Sequence, residues 1–283
     1  MAEPARVGLL RRLLRNRAAL AGLAVIAAYV ALAVGAPWLA AYDPSQNNLA
    51  LRLHPPSLRH LLGNDELGRD ILSRLVWGAR TSLAISLGAV AFAAAVGVPL
   101  GLAAGYYGGR LDGLISGAVE VLMAFPGILL ALAVVAIFGF GVFRLILAIG
   151  VYSVPTMAWL ARGSTLDVAH MEYVEASRAM GGRNRRIMLR HVLPNILTPI
   201  IVQGTLRLAT AVLTAATLSF LGLGVQPPEP EWGAMIASSV AYIRVAPHAT
   251  VIPGIALMLV VLGFNVAGDG LSESLDPATS RLG

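Results

Sequence analysis

The sequence of 283 residues contains no cysteine and no lysine, so all 21 of its basic residues are arginine. The absence of cysteine excludes disulfide bonds and thiolate metal sites. The absence of lysine excludes a P-loop, whose lysine reaches the nucleotide phosphates, and a Schiff-base mechanism. The five histidines are scattered, and the sequence has neither an H-E-x-x-H nor a G-x-S-x-G motif. The residues therefore offer no support for a membrane protease or another membrane enzyme.

Charged residues are also scarce, at 13% against roughly 25% in an average soluble protein. Hydrophobic residues make up 57% of the chain, and the mean hydropathy is +0.74. The net charge of +6 comes from arginines that lie mostly in short segments beside apolar runs. That distribution is typical of a protein oriented in a membrane, and not of one that binds nucleic acid. We therefore predict an all-α integral membrane protein whose solvent and partner is lipid.

Six segments are long and apolar enough to cross a bilayer, which takes about 20 residues of helix. They run over 18–40, 82–106, 114–138, 142–160, 196–223 and 251–268. The first is too long for the apolar region of a signal peptide and is interpreted as a retained span. With the N-terminus inside, thirteen arginines fall on the inner side and seven on the outer side. This bias predicts that both termini are cytoplasmic.

Two predicted outer segments, 42–80 and 224–249, are longer than simple connections. The first contains a predicted helix over 71–77. The second begins with a proline-rich stretch over 226–230, which is expected to be stiff and non-helical. Trp232 and Tyr242 follow it and are expected at the level of the lipid headgroups. Two long segments on one face indicate a docking surface for an external partner.

Gly97, Gly101 and Gly105 repeat every four residues in the second predicted span. In lipid, such spacing lets two helix backbones approach closely. The repeat predicts a closely packed bundle but does not identify the partner helix.

The inner segment 162–195 is too polar to span the membrane. Residues 171–180 are predicted to form a short helix, with acidic residues early and an arginine late, as the helix dipole prefers. Gly181 and Gly182 are expected to end it, since glycine accepts the left-handed conformation at a helix end. A second short helical stretch is predicted over 185–192. The result is a helix lying across the inner membrane face, where it can transmit force between a soluble partner and the spans.

This segment resembles the EAA loop of ABC-importer permeases. Glu175-Ala176-Ser177, three further residues, Gly181 and then Leu193-Pro194 keep that loop's spacing, with serine for its second alanine and His191 at its isoleucine position. Other segments resemble the C-type permease of dipeptide and oligopeptide importers. They are 63–74 (GNDELGRDILSR), 124–127 (AFPG), 218–228 (LSFLGLGVQPP) with Trp232-Gly233, Pro253-Gly254, and 264–277 with its Gly-Asp-Gly-Leu and Leu-Asp-Pro stretches.

The resemblance implies a type I ABC-importer transmembrane domain with six transmembrane helices in the whole chain. The expected organisation is a cytoplasmic segment 1–17, a first transmembrane helix 18–41, an external loop 42–80, the permease domain 81–270 and a cytoplasmic segment 271–283. Within the permease domain, 162–195 would be the cytoplasmic coupling loop and 224–249 an external loop. The chain would lie in the inner or plasma membrane of a bacterium or archaeon.

The resemblance also implies partners and roles. The chain would be non-catalytic and hold no cofactor, because ATP and Mg²⁺ would bind to two partner ATPase subunits. A second, homologous permease would complete the pathway, and an extracellular or periplasmic binding protein would deliver a peptide. Nickel chelates, glutathione, haem and sugars, which relatives also carry, remain open as solutes. The residues expected to meet an ATPase subunit are Glu172, Glu175, Ala176, Ser177, Arg178 and Gly181.

Two charged residues lie well inside predicted spans. Arg207 is about 11 residues, or roughly 17 Å, into the fifth span, and Glu120 is about six residues, or roughly 9 Å, into the third. Charges at such depth usually face a cavity or a partner. Arg207 either lines the pathway and meets a substrate carboxylate, or forms an ion pair with Glu120. Since Glu120 is the one acid so placed, a proton-coupled transporter is a remote alternative, as is a channel, which would need no ATPase.

Overall fold

The computed structural model describes residues 16–275. The predicted cytoplasmic ends, 1–15 and 276–283, lie outside the described residues, so the orientation of the termini stays a prediction. Within 16–275 the chain is helical and contains no β-strand. This confirms the all-α fold expected from the sequence.

Ten α-helices make up the described chain. They are α1 (Arg17–Leu39), α2 (Ile71–Tyr107), α3 (Gly109–Ala124), α4 (Gly127–Phe138), α5 (Val142–Ala169), α6 (Glu172–Ala179), α7 (Asn184–Ile187), α8 (Leu193–Phe220), α9 (Trp232–Ser239) and α10 (Pro247–Leu275). A π-helical turn, Met188–Val192, joins α7 to α8. Five helices are long and apolar enough to span a membrane: α1, α2, α5, the α7–α8 run and α10. The pair α3 and α4 makes a sixth span if the two are counted together.

The third predicted span, 114–138, is wrong as a single straight helix. It breaks between α3 and α4, whose axes differ by 93°. Phe125 is extended, with φ −84° and ψ 135°, as the residue before a proline prefers. Pro126 has no N–H with which to continue α3. At Gly127 an added Cβ would lie 1.9 Å from Cε2 of Tyr152, so the bend is also fixed by close contact with α5.

The second span is longer than predicted, because the expected helix over 71–77 and the span over 82–106 form one helix of 37 residues. Asp70 caps its N-terminus by accepting a hydrogen bond from the Ser73 N–H at 2.8 Å. Residues 78–81, which lie between the predicted helix and the predicted span, are helical as well. In the structure, the Arg80 guanidinium lies 5.5 Å from the Trp77 ring centroid, and both remain helical.

The glycine repeat of α2 packs against α5. Gly97, Gly101 and Gly105 lie against successive turns of that helix, around Ala158 and Arg162. A Cβ on Gly101 would be 2.1 Å from the carbonyl oxygen of Ala158. The repeat therefore brings α2 and α5 into backbone contact, and α1 and α8 also pack against α2.

We expect Gly101→Val to lower the free energy of unfolding by at least about 2 kcal/mol, because the new side chain meets backbone atoms of α5 that cannot rotate away. Gly254→Ala is the matched control: Gly254 is also inside a helix, but nothing lies within 4 Å of an added Cβ. Its expected effect is neutral or stabilising, up to about 1 kcal/mol. Thermal unfolding of both variants in detergent makes the comparison, and equal stability of the two would contradict the packing described.

Candidate functional site

Residues 162–195, the predicted coupling loop, present α6 on their surface. The side chain of Val174 is fully buried, in a cluster with Ile187, Val192 and Ile196. Glu175, one residue further, is exposed, as are three other residues expected to meet an ATPase: Glu172, Ala176 and Arg178. Buried apolar contacts therefore hold α6 against the bundle, while its acidic face is free for a partner.

Gly181 ends α6 as predicted. Its φ is +81°, in the left-handed region that glycine tolerates. The N–H of Gly182 donates to the carbonyl of Ser177 at 3.0 Å, which closes the final turn. Ser177 is half-buried under this turn. Ser177 and Gly181 thus shape the end of α6.

Arg178 connects α6 to the end of α2. Its guanidinium lies 5.5 Å from the Tyr106 ring centroid, in the range of a cation–π contact. The Tyr106 hydroxyl donates to Oδ1 of Asn184, the first residue of α7, at 3.1 Å. One tyrosine of α2 therefore contacts both short helices of the predicted coupling loop.

Arg207 does not pair with Glu120 in this structure. Among residues 16–275, the ion pairs within 4.0 Å join other residues. The Arg207 Nη2 donates instead to Oγ1 of Thr156 on α5, at 2.9 Å. Glu120 is exposed on α3. The acid that does link α3 to α5 is Asp112, whose two carboxylate oxygens accept from Nε and Nη2 of Arg162 at 2.5 and 2.6 Å.

On the predicted external side, residues 42–70 and 224–246 fold together into a layer that we name the outer cap. Its centre is the Asp65 carboxylate, which is 4% exposed. One oxygen accepts from the backbone N–H groups of Leu67 and Arg69, both at 2.9 Å. The other accepts from Arg69 Nε at 2.7 Å and lies 3.3 Å from Arg74 Nε. Both guanidinium groups are buried with it.

The two loops of the outer cap are tied to each other through α2. Nη1 of Arg74 donates to the carbonyl of Pro44 at 2.7 Å and to that of Pro228 at 3.4 Å. Arg52 donates to the Tyr242 hydroxyl at 3.0 Å. The external face expected from two separate loops is therefore one connected layer.

Glu231 begins α9 as a buried carboxyl. It is 1% exposed, and its oxygens accept from the N–H groups of Gly233 and Ala234 at 3.0 and 2.9 Å and from the Ser82 hydroxyl at 3.2 Å. The next residue, Trp232, is fully buried and donates from Nε1 to the carbonyl of Leu75 at 3.0 Å. Its expected place among lipid headgroups is therefore wrong, because it fills the contact between α9 and α2.

Burial raises the pKa of Glu231 above its ordinary value of 4.5, and the N–H donors of Gly233 and Ala234 oppose the rise. The folded protein therefore holds this proton more tightly than the unfolded chain does. The protonated Glu231 makes its whole contribution to the free energy of unfolding below pH 4.5, and this contribution is lost as the pH rises through the folded-state pKa. We therefore expect the melting temperature to fall with pH more steeply in the wild type than in Glu231→Gln. If the melting temperatures of the two proteins fell equally with pH, the raised pKa of Glu231 would be contradicted.

The motif that contains Asp65 and the residue Glu231 are the parts of the outer side that sequence reasoning did not resolve. The first was identified as a family segment without a role, and Glu231 was not singled out. The Gly-Asn-Asp spacing of the first is a local turn signal. The contact of Glu231 with Ser82 joins residues 149 positions apart, and no local pattern announces it.

Comparison with known proteins agrees with this geometry. The family model described as "binding-protein-dependent transport system inner membrane component" matches residues 97–281. The model described as the N-terminal transmembrane domain of oligopeptide transport permease C matches residues 8–56.

Three bacterial relatives cover 94% of this chain. The dipeptide transport system permease protein DppC of Alkalihalophilus pseudofirmus is 45% identical over 267 residues, which are 88% of its length. The glutathione transport system permease protein GsiD is 44% identical over 268 residues in Pectobacterium atrosepticum, covering 89% of that protein. In Escherichia coli, GsiD is 45% identical over 271 residues, covering 88%.

A solved structure shares the fold. The inward-facing MetNI methionine ABC transporter contains a chain that matches with a TM-score of 0.59 and 23% identity, over 73% of this chain and 98% of that one. The likeness agrees with the type I ABC-importer transmembrane fold expected from the sequence. The apolar helices and the matched family place the chain in the cell inner membrane. On these matches, the chain belongs to the family of binding-protein-dependent transport system inner membrane components.

Proposed function

We propose that the chain is the non-catalytic, membrane-spanning permease subunit of an ATP-driven importer of di- or oligopeptides. A second, homologous permease would complete the pathway, two ATPase subunits would bind at the cytoplasmic side, and an external binding protein would deliver the solute. The names of the relatives, dipeptide and glutathione permeases, support a solute built of amino acids joined by amide bonds.

The observation that carries this proposal is the anchoring of α6. Its acidic surface, with Glu172 and Glu175, is exposed, while Val174 between them is buried against α7 and α8. ATP-driven closure of the ATPases would push α6, and the Arg178–Tyr106 contact would carry that motion to α2. Because α2 packs closely on α5, the two helices would move together and open the bundle to the other side.

Arg207 and Glu120 are proposed to face the pathway. Both lie within membrane-spanning helices, where a charge needs a cavity or a partner. The hydrogen bond from Arg207 to Thr156 satisfies one donor of a guanidinium that has five, so the group keeps capacity for a solute.

The test is reconstitution of the intact complex, purified through this chain, with its binding protein in liposomes. We expect dipeptides or short oligopeptides to stimulate ATP hydrolysis and to accumulate inside. Stimulation by glutathione alone would instead indicate a glutathione importer, the activity for which the GsiD relatives are named. Stimulation by a nickel chelate, haem or a sugar alone would refute the peptide assignment. Purification without any ATPase, together with passive flux, would favour a channel and refute the importer.

A further inference from the structure

One face of α8 carries a continuous row of polar side chains. We name it the polar stripe, and its members are Gln203, Arg207, Thr210, Thr214 and Thr217. They are spaced by four, three, four and three residues, which places all of them on one side of a helix with 3.6 residues per turn. The core of this chain does not cover the stripe: Thr210 and Thr217 are exposed and the other three are half-buried.

The buried side of α8 lies elsewhere. Val212, Ala215 and Ala216 are buried, and the first two belong to the apolar clusters that α8 shares with other helices of the bundle. Lipid tails offer no hydrogen bonds to the Gln203 amide or the Arg207 guanidinium, so such groups in a span face a water-filled cavity or another protein.

The charge in the stripe lies at the middle of its helix. Arg207 is 14 residues from the start of α8 and 13 from its end, and its partner Thr156 is likewise 14 and 13 residues from the ends of α5. One turn from Thr156, Tyr152 covers Gly127, where the third span bends by 93°. Transporters bind their solutes near the bilayer midplane beside discontinuous helices, and here the bend and the stripe meet on the same helix, α5.

The chemistry of the stripe fits an amide that carries a carboxylate. Within residues 16–275, the bond to Thr156 is the one hydrogen bond of the Arg207 side chain, which leaves N–H donors in the planar fork that matches a carboxylate. The hydroxyls of Thr214 and Thr217 donate to carbonyls of their own helix at 2.9 and 2.8 Å. Their oxygens therefore remain acceptors for N–H groups.

From this arrangement we infer that the polar stripe lines the solute pathway and that Arg207 binds a free carboxylate of the passing solute. The inference rests on the proposed function and adds a substrate class to it. Peptides with a free C-terminal carboxylate are selected inside the membrane, independently of the binding protein.

The first experiment measures access of water to the stripe, and the absence of cysteine from the chain makes it direct. Thr210→Cys and Thr214→Cys are compared with Ile201→Cys in the intact complex in liposomes. Ile201 is also an exposed residue of α8, but it is turned about 180° from Thr210 and about 140° from Thr214 around the helix. A charged, water-soluble methanethiosulfonate is expected to label the two stripe positions at least about tenfold faster than position 201, because the reagent needs a hydrated thiolate.

Labelling of this chain is followed by mass spectrometry. Equal labelling at all three positions, or none at any, would overturn the pathway assignment, and the second outcome would place the stripe against the partner permease. This readout needs no transported solute, so it stands even if the peptide assignment fails.

The second experiment concerns the carboxylate. Uptake of Ala-Phe and of its C-terminal amide is measured for the wild type, Arg207→Gln and Arg207→Lys. All three are assayed with the same binding protein, so its own preference for acid or amide cancels in each ratio of variant to wild-type uptake. For the free acid, Arg207→Gln is expected to lose about tenfold and Arg207→Lys less than about threefold, as for a charge-assisted hydrogen bond. For the amide, both variants are expected to match the wild type.

Equal losses for acid and amide would show that Arg207 has a structural role and would overturn its recognition of carboxylate. If the wild type takes up no amide, the free-acid data decide: equal losses in the two variants overturn the inference, and selective loss in Arg207→Gln supports it. If the wild type takes up no peptide at all, the proposed function fails, while the labelling experiment still reports on the stripe.

Discussion

Glu175→Arg is expected to lower ATP-driven uptake at least about tenfold, because it reverses the charge on the exposed face that α6 offers to a partner. The folded bundle should be almost unaffected. An exposed charge at a helix start contributes about 0.3–1 kcal/mol, and the anchor of α6 is the neighbouring Val174, which the substitution leaves in place.

Asp167→Arg is the matched control for this charge reversal. Asp167 is also an exposed acid within residues 162–195, but it lies on α5 and outside α6. Both variants are compared for ATPase subunits retained on purification, solute-stimulated ATP hydrolysis and thermal unfolding. Uptake within about twofold of wild type in Glu175→Arg, or equal losses in the two variants, would refute the role of α6 in coupling.

The coupling loop could be predicted from sequence because its signals are local. The early acids, the late arginine and the Gly181-Gly182 stop each act within one or two helical turns. The structure reproduces that helix almost to the residue, as Glu172–Ala179. The contact between α6 and α2 could not be predicted from the sequence, because Arg178 and Tyr106 are 72 positions apart.

The bend in the third span illustrates a limit of hydropathy. Residues 114–138 are apolar throughout except for a few small and polar positions, so a hydropathy window cannot distinguish a straight span from a broken one. The Phe125-Pro126-Gly127 sequence did carry a signal, because a residue before proline avoids the helical region. The bend also depends on a tertiary contact, the close packing of Gly127 against Tyr152 of α5, which the sequence does not show.

For Arg207, too, the sequence predicted the position in the span but not the partner. Its depth in the membrane followed from the sequence, and the structure places it at the middle of α8. Its partner did not follow, because depth alone cannot tell which faces of two helices meet. The half-buried hydroxyl of Thr156, an unremarked residue in an apolar span, is the partner that the fold selects.

Asp65→Ala is expected to cost about 3–5 kcal/mol of stability, which is the usual loss when one partner of a buried ionic cluster is removed. The Asp65 carboxylate accepts two backbone N–H bonds and binds Arg69 while lying 3.3 Å from Arg74. Without it, two guanidinium groups that are each 4% exposed are left facing each other, and only Arg69 keeps another carboxylate partner, Glu66. Because Arg74 also holds Pro44 and Pro228, the loss should loosen both loops of the outer cap.

Asp43→Ala is the appropriate control, since Asp43 is an exposed acid in the same loop with one local bond, from the Ser45 N–H to its Oδ1. Its removal should cost less than about 1 kcal/mol. Asp65→Asn separates charge from shape: it keeps an oxygen for the backbone N–H groups but leaves both arginines without their counter-ion, so most of the loss should remain. Thermal unfolding and proteolysis within residues 42–70 measure the effect. If Asp65→Ala were as stable as Asp43→Ala, the buried cluster would not hold the outer cap, and its motif would have to be explained by contact with the binding protein instead.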